Sequence, residues 1–212
     1  MVRFTIFGIP VQVQPFFWLS LVIISGAGSA DSSSAVLRIA LFVIAGFISI
    51  LVHELGHALT ARKFGAHSEI TLQAFGGYAA YSGVRMTRQQ SFMITAAGPL
   101  VQIVLGLLVL LLLSTRPALS TDMIYFLQKL MEISLVWAVL NLLPVLPLDG
   151  GQLLNAILGP QRIKITLWIT IIVAISGAFG IYNHDKRNIL FSLFLGMFAF
   201  QAIQALNENK RR

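Results

Sequence analysis

The chain contains no cysteine and few charges, and each lack removes a set of functions. Without cysteine there are no disulfides, thiolate zinc sites, iron–sulfur clusters or cysteine nucleophiles, so any metal must be held by His, Asp or Glu. Asp, Glu, Lys and Arg make up only 11% of the 212 residues, while 57% are hydrophobic. That is more apolar surface than one soluble core of this length can bury. The composition therefore predicts an integral membrane protein. A formal charge of +7 raises the question of nucleic acid. The basic residues, however, stand in short groups between apolar runs and form no stripe with interleaved aromatics, so no nucleic-acid partner is expected.

Phe4 to Ala30 is uncharged, and its small-residue ending loosely imitates a secretory signal. The Gly and Pro breaks in its front half read instead as short strands, followed by a retained first span over Phe16 to Gly28. The turn after it starts at Asp31. A second helix is predicted over Ala35 to Phe64, then strands at Glu69–Phe75 and Tyr78–Tyr81 around Gly76-Gly77. A third helix covers Gln89 to Thr115, and a fourth starts near Thr121 and is broken by Pro144 and Pro147. Ile165–Asn183 and Asn188–Asn207 complete six spans. The expected fold class is an all-α polytopic membrane protein with a small membrane-associated sheet, and residues 1–212 are expected to form one membrane-embedded domain. No internal repeat is visible.

Lys and Arg divide unevenly between the two sides of these spans. One side receives Arg3, Arg62, Lys63, Arg85, Arg88, Arg162, Lys164, Lys210, Arg211 and Arg212; the other receives Arg38, Arg116, Lys129, Lys186 and Arg187. The richer side is expected to be cytoplasmic and to hold both termini. Glu54 then lies ten residues from the cytoplasmic end of its helix, about 15 Å at 1.5 Å per residue. That places it within the hydrocarbon.

The chemistry sits in His53-Glu54-Leu55-Gly56-His57. Residues four apart share a helix face, so two imidazoles can bind one Zn²⁺ while the Glu between them takes a proton from a water that the metal acidifies. Ionisable residues at bilayer depth are costly and persist when paired, solvated or coordinated, which favours a metal site over inert polar residues. Catalytic zinc needs a third protein ligand. Among the acidic residues only Glu132 and Asp149 compete at depth. Lys129, three residues away, makes an ion pair the simpler account of Glu132. Asp149 follows a proline-broken helix end that must line a buried or wet cavity. Taken by itself, though, it reads best as a turn residue before Gly150-Gly151.

His53-Glu54-Leu55-Gly56-His57 followed by Asn141-Leu142-Leu143-Pro144-Val145-Leu146-Pro147-Leu148-Asp149-Gly150 resembles the paired motifs of the site-2 protease family of intramembrane zinc metalloproteases. The resemblance extends to the N-terminal strands, the Gly-rich sheet segment and Ala97-Gly98-Pro99. It implies His53, His57 and Asp149 as zinc ligands, Glu54 as catalytic base and Asn141 as a residue that orients substrate or intermediate. It further implies a transmembrane protein substrate cleaved in the bilayer, in regulated intramembrane proteolysis. Gln102 departs from the family, which commonly has Asn three residues after the Gly-Pro proline. There is no room between Tyr81 and Gln89 for a PDZ insertion and no CBS pair is expected after Arg212, so the resemblance is to a minimal form.

The strand carrying Gly77 and Tyr78 offers a second expectation, that its edge pairs with an unwound substrate and supplies the extended backbone a peptidase needs. Plugging the cavity is the competing role. His67 and His184 read as solvated loop residues, since neither has a second ligand at helical spacing. Gly46, Gly106 and Gly196 are expected to permit close helix contact. Two other function classes compete with the protease: a transporter, for which matching broken helices in repeated halves are expected, and a catalytically silent, zinc-stabilised membrane binding protein. Intact Glu54 argues against the second. Oligomeric state leaves no mark on the sequence.

Overall fold

A computed structural model of the chain describes residues 1–26, 32–184 and 189–211. The expected end of the first span at Gly28 and the turn from Asp31 lie outside the described residues. The chain divides into two compact units, Met1–Ala138 and Val139–Arg212.

In the first unit, strands β1 (Val2–Ile6) and β2 (Ile9–Val13) lead into helix α1 (Pro15–Ile24) and the long helix α2 (Ser33–Lys63); β3 (His67–Gln73) and β4 (Gly76–Ser82) follow. The strands form one sheet in the order β1-β2-β3-β4, antiparallel except for the parallel β2–β3 pair that α1 and α2 connect. Alternation decides which face is inward. Ile9, Val11, Val13, Ile70 and Leu72 point to one side and pack on Phe17 and Leu21 of α1 and on Ile50, Leu51, Leu55 and Ala58 of α2. Ser68 Oγ, donating to the Ala58 carbonyl at 3.0 Å, holds β3 against the same helix. β1 and β4 are the edges.

Helix α2 begins where the Ser32 hydroxyl accepts the Ala35 amide at 3.3 Å. Helix α3 (Arg88–Ser114) starts with a reciprocal box in which Thr87 and Gln90 each satisfy the other's backbone amide. Helix α4 spans Thr121–Asn141 and so runs to just past the boundary between the units. Glycines set the helix spacing. A methyl at Gly46 would lie 2.8 Å from Leu21 Cδ2, and one at Gly106 would lie 2.7 Å from Leu135 Cδ2. Both therefore allow the close approach expected of them. Gly196 does not share that role, having no described atom within 4 Å of such a methyl.

The second unit contains α5 (Asp149–Leu158), α6 (Ile163–His184) and α7 (Ile189–Arg211), with Val145, Ala174, Leu195, Phe198 and Ala199 at its core. Helix α5 is absent from the expectations, because two consecutive glycines read as a turn. Tertiary packing reverses that preference. A methyl at Gly150 would fall on the Leu142 and Leu143 carbonyls, and one at Gly151 would lie 2.5 Å from the Leu146 nitrogen, so only glycine lets this helix start against the preceding bend. Thr170 Oγ1 accepts the Leu146 amide at 3.1 Å, and Gln152 Nε2 donates to the Pro147 carbonyl at 3.0 Å, pinning that bend on both sides.

The protein is mostly helical with a four-stranded sheet, and among the described residues four helical stretches are long and apolar enough to cross a bilayer: Ser33–Lys63, Arg88–Ser114, Thr121–Asn141 and Pro160–His184. Helix α1 is only ten residues long, about 15 Å, half the hydrocarbon thickness.

Candidate metal centre

His53, Glu54 and His57 occupy the buried stretch of α2, with relative exposures of 3%, 4% and 8%. One helical turn separates the histidines, and their rings meet edge to face with centroids 4.8 Å apart. Their Nε2 atoms are 3.1 Å apart. Two nitrogens bound tetrahedrally to one zinc at about 2.05 Å would be about 3.3 Å apart, so this spacing fits shared ligation.

The far side of each ring decides which nitrogen faces inward. His57 Nδ1 lies 2.8 Å from the Ile94 carbonyl, which can only accept, so Nδ1 carries a hydrogen and, in the neutral ring, Nε2 a lone pair. His53 Nδ1 lies 2.9 Å from Gln102 Oε1, another acceptor. Two lone pairs are thus aimed at one point, an arrangement that needs a positive centre. Gly98 clears room for the His57 ring, since a methyl there would land on the imidazole. Gly56, between the histidines, lets α2 and α3 touch: its methyl would sit 2.7 Å from the Ala97 carbonyl oxygen.

Strand β4 crosses directly over Glu54. A methyl on Gly77 would lie 2.9 Å from both Cγ and Oε1 of that carboxylate. Tyr78, next on the same strand, pairs with Thr71 and is exposed. Glu132 is ion-paired with Lys129 at 2.6 Å, as its spacing predicts. His67 and His184 are exposed, but they end elements, opening β3 and closing α6, where loops were expected.

In the second unit Asp149 is the first residue of α5 and is 8% exposed, with a carboxylate oxygen available as a metal ligand. Its charge sits at the positive end of that helix. Asn141, the last residue of α4, is half-buried. Among the described residues, Glu54 and Asp149 are the only buried carboxylates.

A family model, Peptidase family M50, matches residues 41–118 and 114–181, which include both motifs. The chain belongs to this family. It is 35% identical over 159 residues to a zinc metalloprotease of Methanocaldococcus jannaschii, covering 74% of this chain and 45% of that protein. Against Rip2 of Mycolicibacterium smegmatis, identity is 30% over 194 residues, with 71% and 73% covered. The chain thus spans about half the length of some curated relatives. The solved site-2 protease from Methanocaldococcus jannaschii is 31% identical, covers 96% of this chain and 94% of its own, and superposes with a TM-score of 0.68. Membership in a peptidase family favours neither the transporter nor the silent binding protein.

Sequence reasoning missed Ser49 and Ser134, buried polar partners of Gln102. The signal for Ser49 was present: Ser49, His53 and His57 recur every four residues on one face of an otherwise apolar helix.

Proposed function

We propose that this chain is an intramembrane zinc endopeptidase that hydrolyses peptide bonds within or near transmembrane segments of substrate proteins. The observation that carries the reading is the pair of Nε2 atoms converging 3.1 Å apart on an apolar helix, with a carboxylate one residue from the first histidine. His53 and His57 would supply two zinc ligands, and Asp149 the third. The donor set fits zinc, which accepts imidazole nitrogen and carboxylate oxygen and leaves a fourth position for chemistry. Buried Asp149 is the sole buried carboxylate, among the described residues, beside the one in the helical motif. Residues 1–212 are read as one catalytic domain, a reading supported by the family match across both motifs.

Zinc at such a site supplies Lewis acidity, polarising the scissile carbonyl and making a water acidic. Glu54 takes the proton of that water and returns it to the leaving amine. Burial at 4% exposure keeps bulk water away from the carboxylate. Asn141 is assigned to hold the substrate or the oxygen that gains charge, an amide donor being suited to either. The β4 edge, with Gly77 and Tyr78, is assigned to pair with the unwound substrate. Supporting this, β4 is a terminal strand of the sheet and passes over the base.

The working environment is the bilayer; the six-span reading adds to the four long apolar stretches the 23-residue α7 and a first segment whose helix, α1, reaches only half-way across. Both termini are assigned to the cytoplasm on the Lys and Arg count. The test is metal stoichiometry together with cleavage of a model transmembrane substrate. Wild type should hold about one zinc per chain and cleave. Glu54→Gln should keep the zinc and lose about 10²–10⁴ in rate. Asp149→Asn should lose both, since a neutral amide binds zinc poorly. Full zinc and normal cleavage in Asp149→Asn would remove Asp149 from the ligand set.

A further inference from the structure

Gln102 is completely buried in α3, and all the hydrogen bonds traced from its amide run to one other helix, α2. Oε1 faces His53 Nδ1 at 2.9 Å. Nε2 donates to Ser49 Oγ at 2.9 Å and more weakly to the Ser49 carbonyl at 3.4 Å. Ser49 Oγ in turn lies 2.9 Å from Ser134 Oγ on α4. Ser49 and Ser134 are both fully buried. A continuous polar line therefore runs from α4 to the first histidine through apolar surroundings.

We propose that Gln102, backed by Ser49 and Ser134, is a positioning residue that holds His53 in the tautomer and orientation needed to ligate zinc. The inference rests on the zinc reading above. The Ser49 carbonyl can only accept, so the nitrogen end of the amide must face it, which leaves the oxygen end on the histidine. An amide oxygen cannot donate. His53 must then carry its hydrogen on Nδ1 and present Nε2 to the metal. Ser49 Oγ receives an amide hydrogen and is thereby free to give its own to Ser134, so the line satisfies its members in one direction. His57 reaches the same state by a different route, a backbone carbonyl. The His53 partner is a side chain and can be exchanged by mutation, which makes the two histidines separable.

Length matters as well as polarity. Asparagine is one methylene shorter, about 1.5 Å, and from the same backbone position cannot reach both His53 and Ser49. Leucine matches the size of glutamine but offers no acceptor. Glutamate keeps an acceptor toward His53 and can take the Ser49 hydroxyl hydrogen.

The test uses the full chain in detergent, with zinc alone as the probe, titrated against a competing chelator. Gln102→Leu should weaken zinc about 10–100-fold, the usual loss when a ligand histidine loses its partner. Gln102→Glu should restore wild-type affinity or better, Gln102→Asn should be intermediate, and Ser49→Ala should show a smaller loss that is not additive with Gln102→Leu. A Gln102→Glu protein as weak as Gln102→Leu overturns the proposal, as does a Gln102→Leu protein with wild-type affinity. Should Gln102→Leu fail to fold, the order of Glu above Asn still decides it. A second readout needs no metal: ¹⁵N spectra of the histidines in zinc-free protein, at a pH where both rings are neutral, report the tautomer. His53 should be Nδ1–H in wild type and should shift toward Nε2–H in Gln102→Asn. A wild type that binds no zinc but shows this dependence would sink the metalloprotease reading and still support the positioning role. A tautomer indifferent to residue 102 overturns the positioning role whatever the metal does.

Discussion

Replacing Gly98 by alanine adds one methyl group, and the structure says where it goes. The new carbon would overlap His57 Nε2 and Cε1 and would stand 2.9 Å from Cδ2 of the same ring. Ordinary carbon contacts are about 3.5–4.0 Å, so the ring must move by roughly 0.6 Å at Cδ2 and by about 1 Å or more at its ligating edge. A swing of that size stretches the 2.8 Å bond from Nδ1 to the Ile94 carbonyl beyond hydrogen-bonding range. It also exceeds the tolerance of about 0.2 Å for a zinc bond. Zinc affinity should fall by 10-fold or more, and cleavage by about 10²-fold, the usual cost of an ångström-scale misplacement. Gly180→Ala is the matched control. It makes the same exchange in a helix where no described atom lies within 4 Å, so it should be neutral or gain up to about 1 kcal/mol from helix propensity. Zinc titration, cleavage of a transmembrane substrate and a thermal unfolding scan, run side by side, separate ligand displacement from general loss of fold. If Gly98→Ala matched the control within about twofold in zinc affinity and rate, His57 would not sit as described and the steric reasoning would fail.

Gly77→Ala should give the complementary result, retaining zinc while losing about 10-fold or more in rate, because the atoms nearest its methyl belong to Glu54 and Leu72; a loss of zinc would show that β4 governs the metal and not the base. Gly150→Ala should destabilise the fold by about 3 kcal/mol, since the carbonyls it meets are backbone and cannot swing aside; an unchanged unfolding midpoint would refute the packing of α5. In substrates, replacing helix-weakening Gly, Pro or Asn near the scissile bond by Leu should slow cleavage, because a carbonyl held in helical hydrogen bonds cannot be attacked; unchanged rates would mean that unwinding does not limit turnover. Reporters fused after Arg212 and in the Gln161–Lys164 loop should read cytoplasmic and one at Ser32 exterior; an exterior signal after Arg212 would invert the orientation.

The long apolar helices, the strand pairs and the ion-paired state of Glu132 were legible because each follows from local information: run length, alternation about glycines, and an i,i+3 charge pair. Asp149 was legible only through the second motif. Its residue type and neighbours favour a turn, and what makes it a helix start is the bend at Leu142–Leu146, against which Gly150 and Gly151 must close. No propensity scale carries that information, since it prices two glycines as a helix break. The short first helix differs: its uncharged run continues past Ile24, but the helix closes at Gly26, whose φ of 78° and amide bonded to the Ile23 carbonyl end it.

The buried polar residues of the first unit make a stronger case for the site than the motif does. Ser49, His53, Glu54, His57, Thr95, Gln102 and Ser134 are all under 9% exposed in helices that otherwise present leucine, isoleucine and valine. Each such group is unfavourable in hydrocarbon unless it is bonded. The hydrogen bonds traced among them converge on α2: Ser134 to Ser49, Ser49 to Gln102, Gln102 to His53, and Ile94 to His57. If the two histidines were inert core residues, one ring could satisfy the other through an N–H, and the outer partners would be free to be donors or acceptors. Instead both outer partners are acceptors, which in neutral rings leaves both inner nitrogens as lone pairs. A chain that only needed stability would not aim two lone pairs at each other across 3.1 Å. The polar network is therefore understandable as preparation for a cation, and loss of zinc should destabilise the folded protein by the mass-action term of a ligand bound only to the native state. Unfolding midpoints in chelator that do not recover with added zinc would break that link.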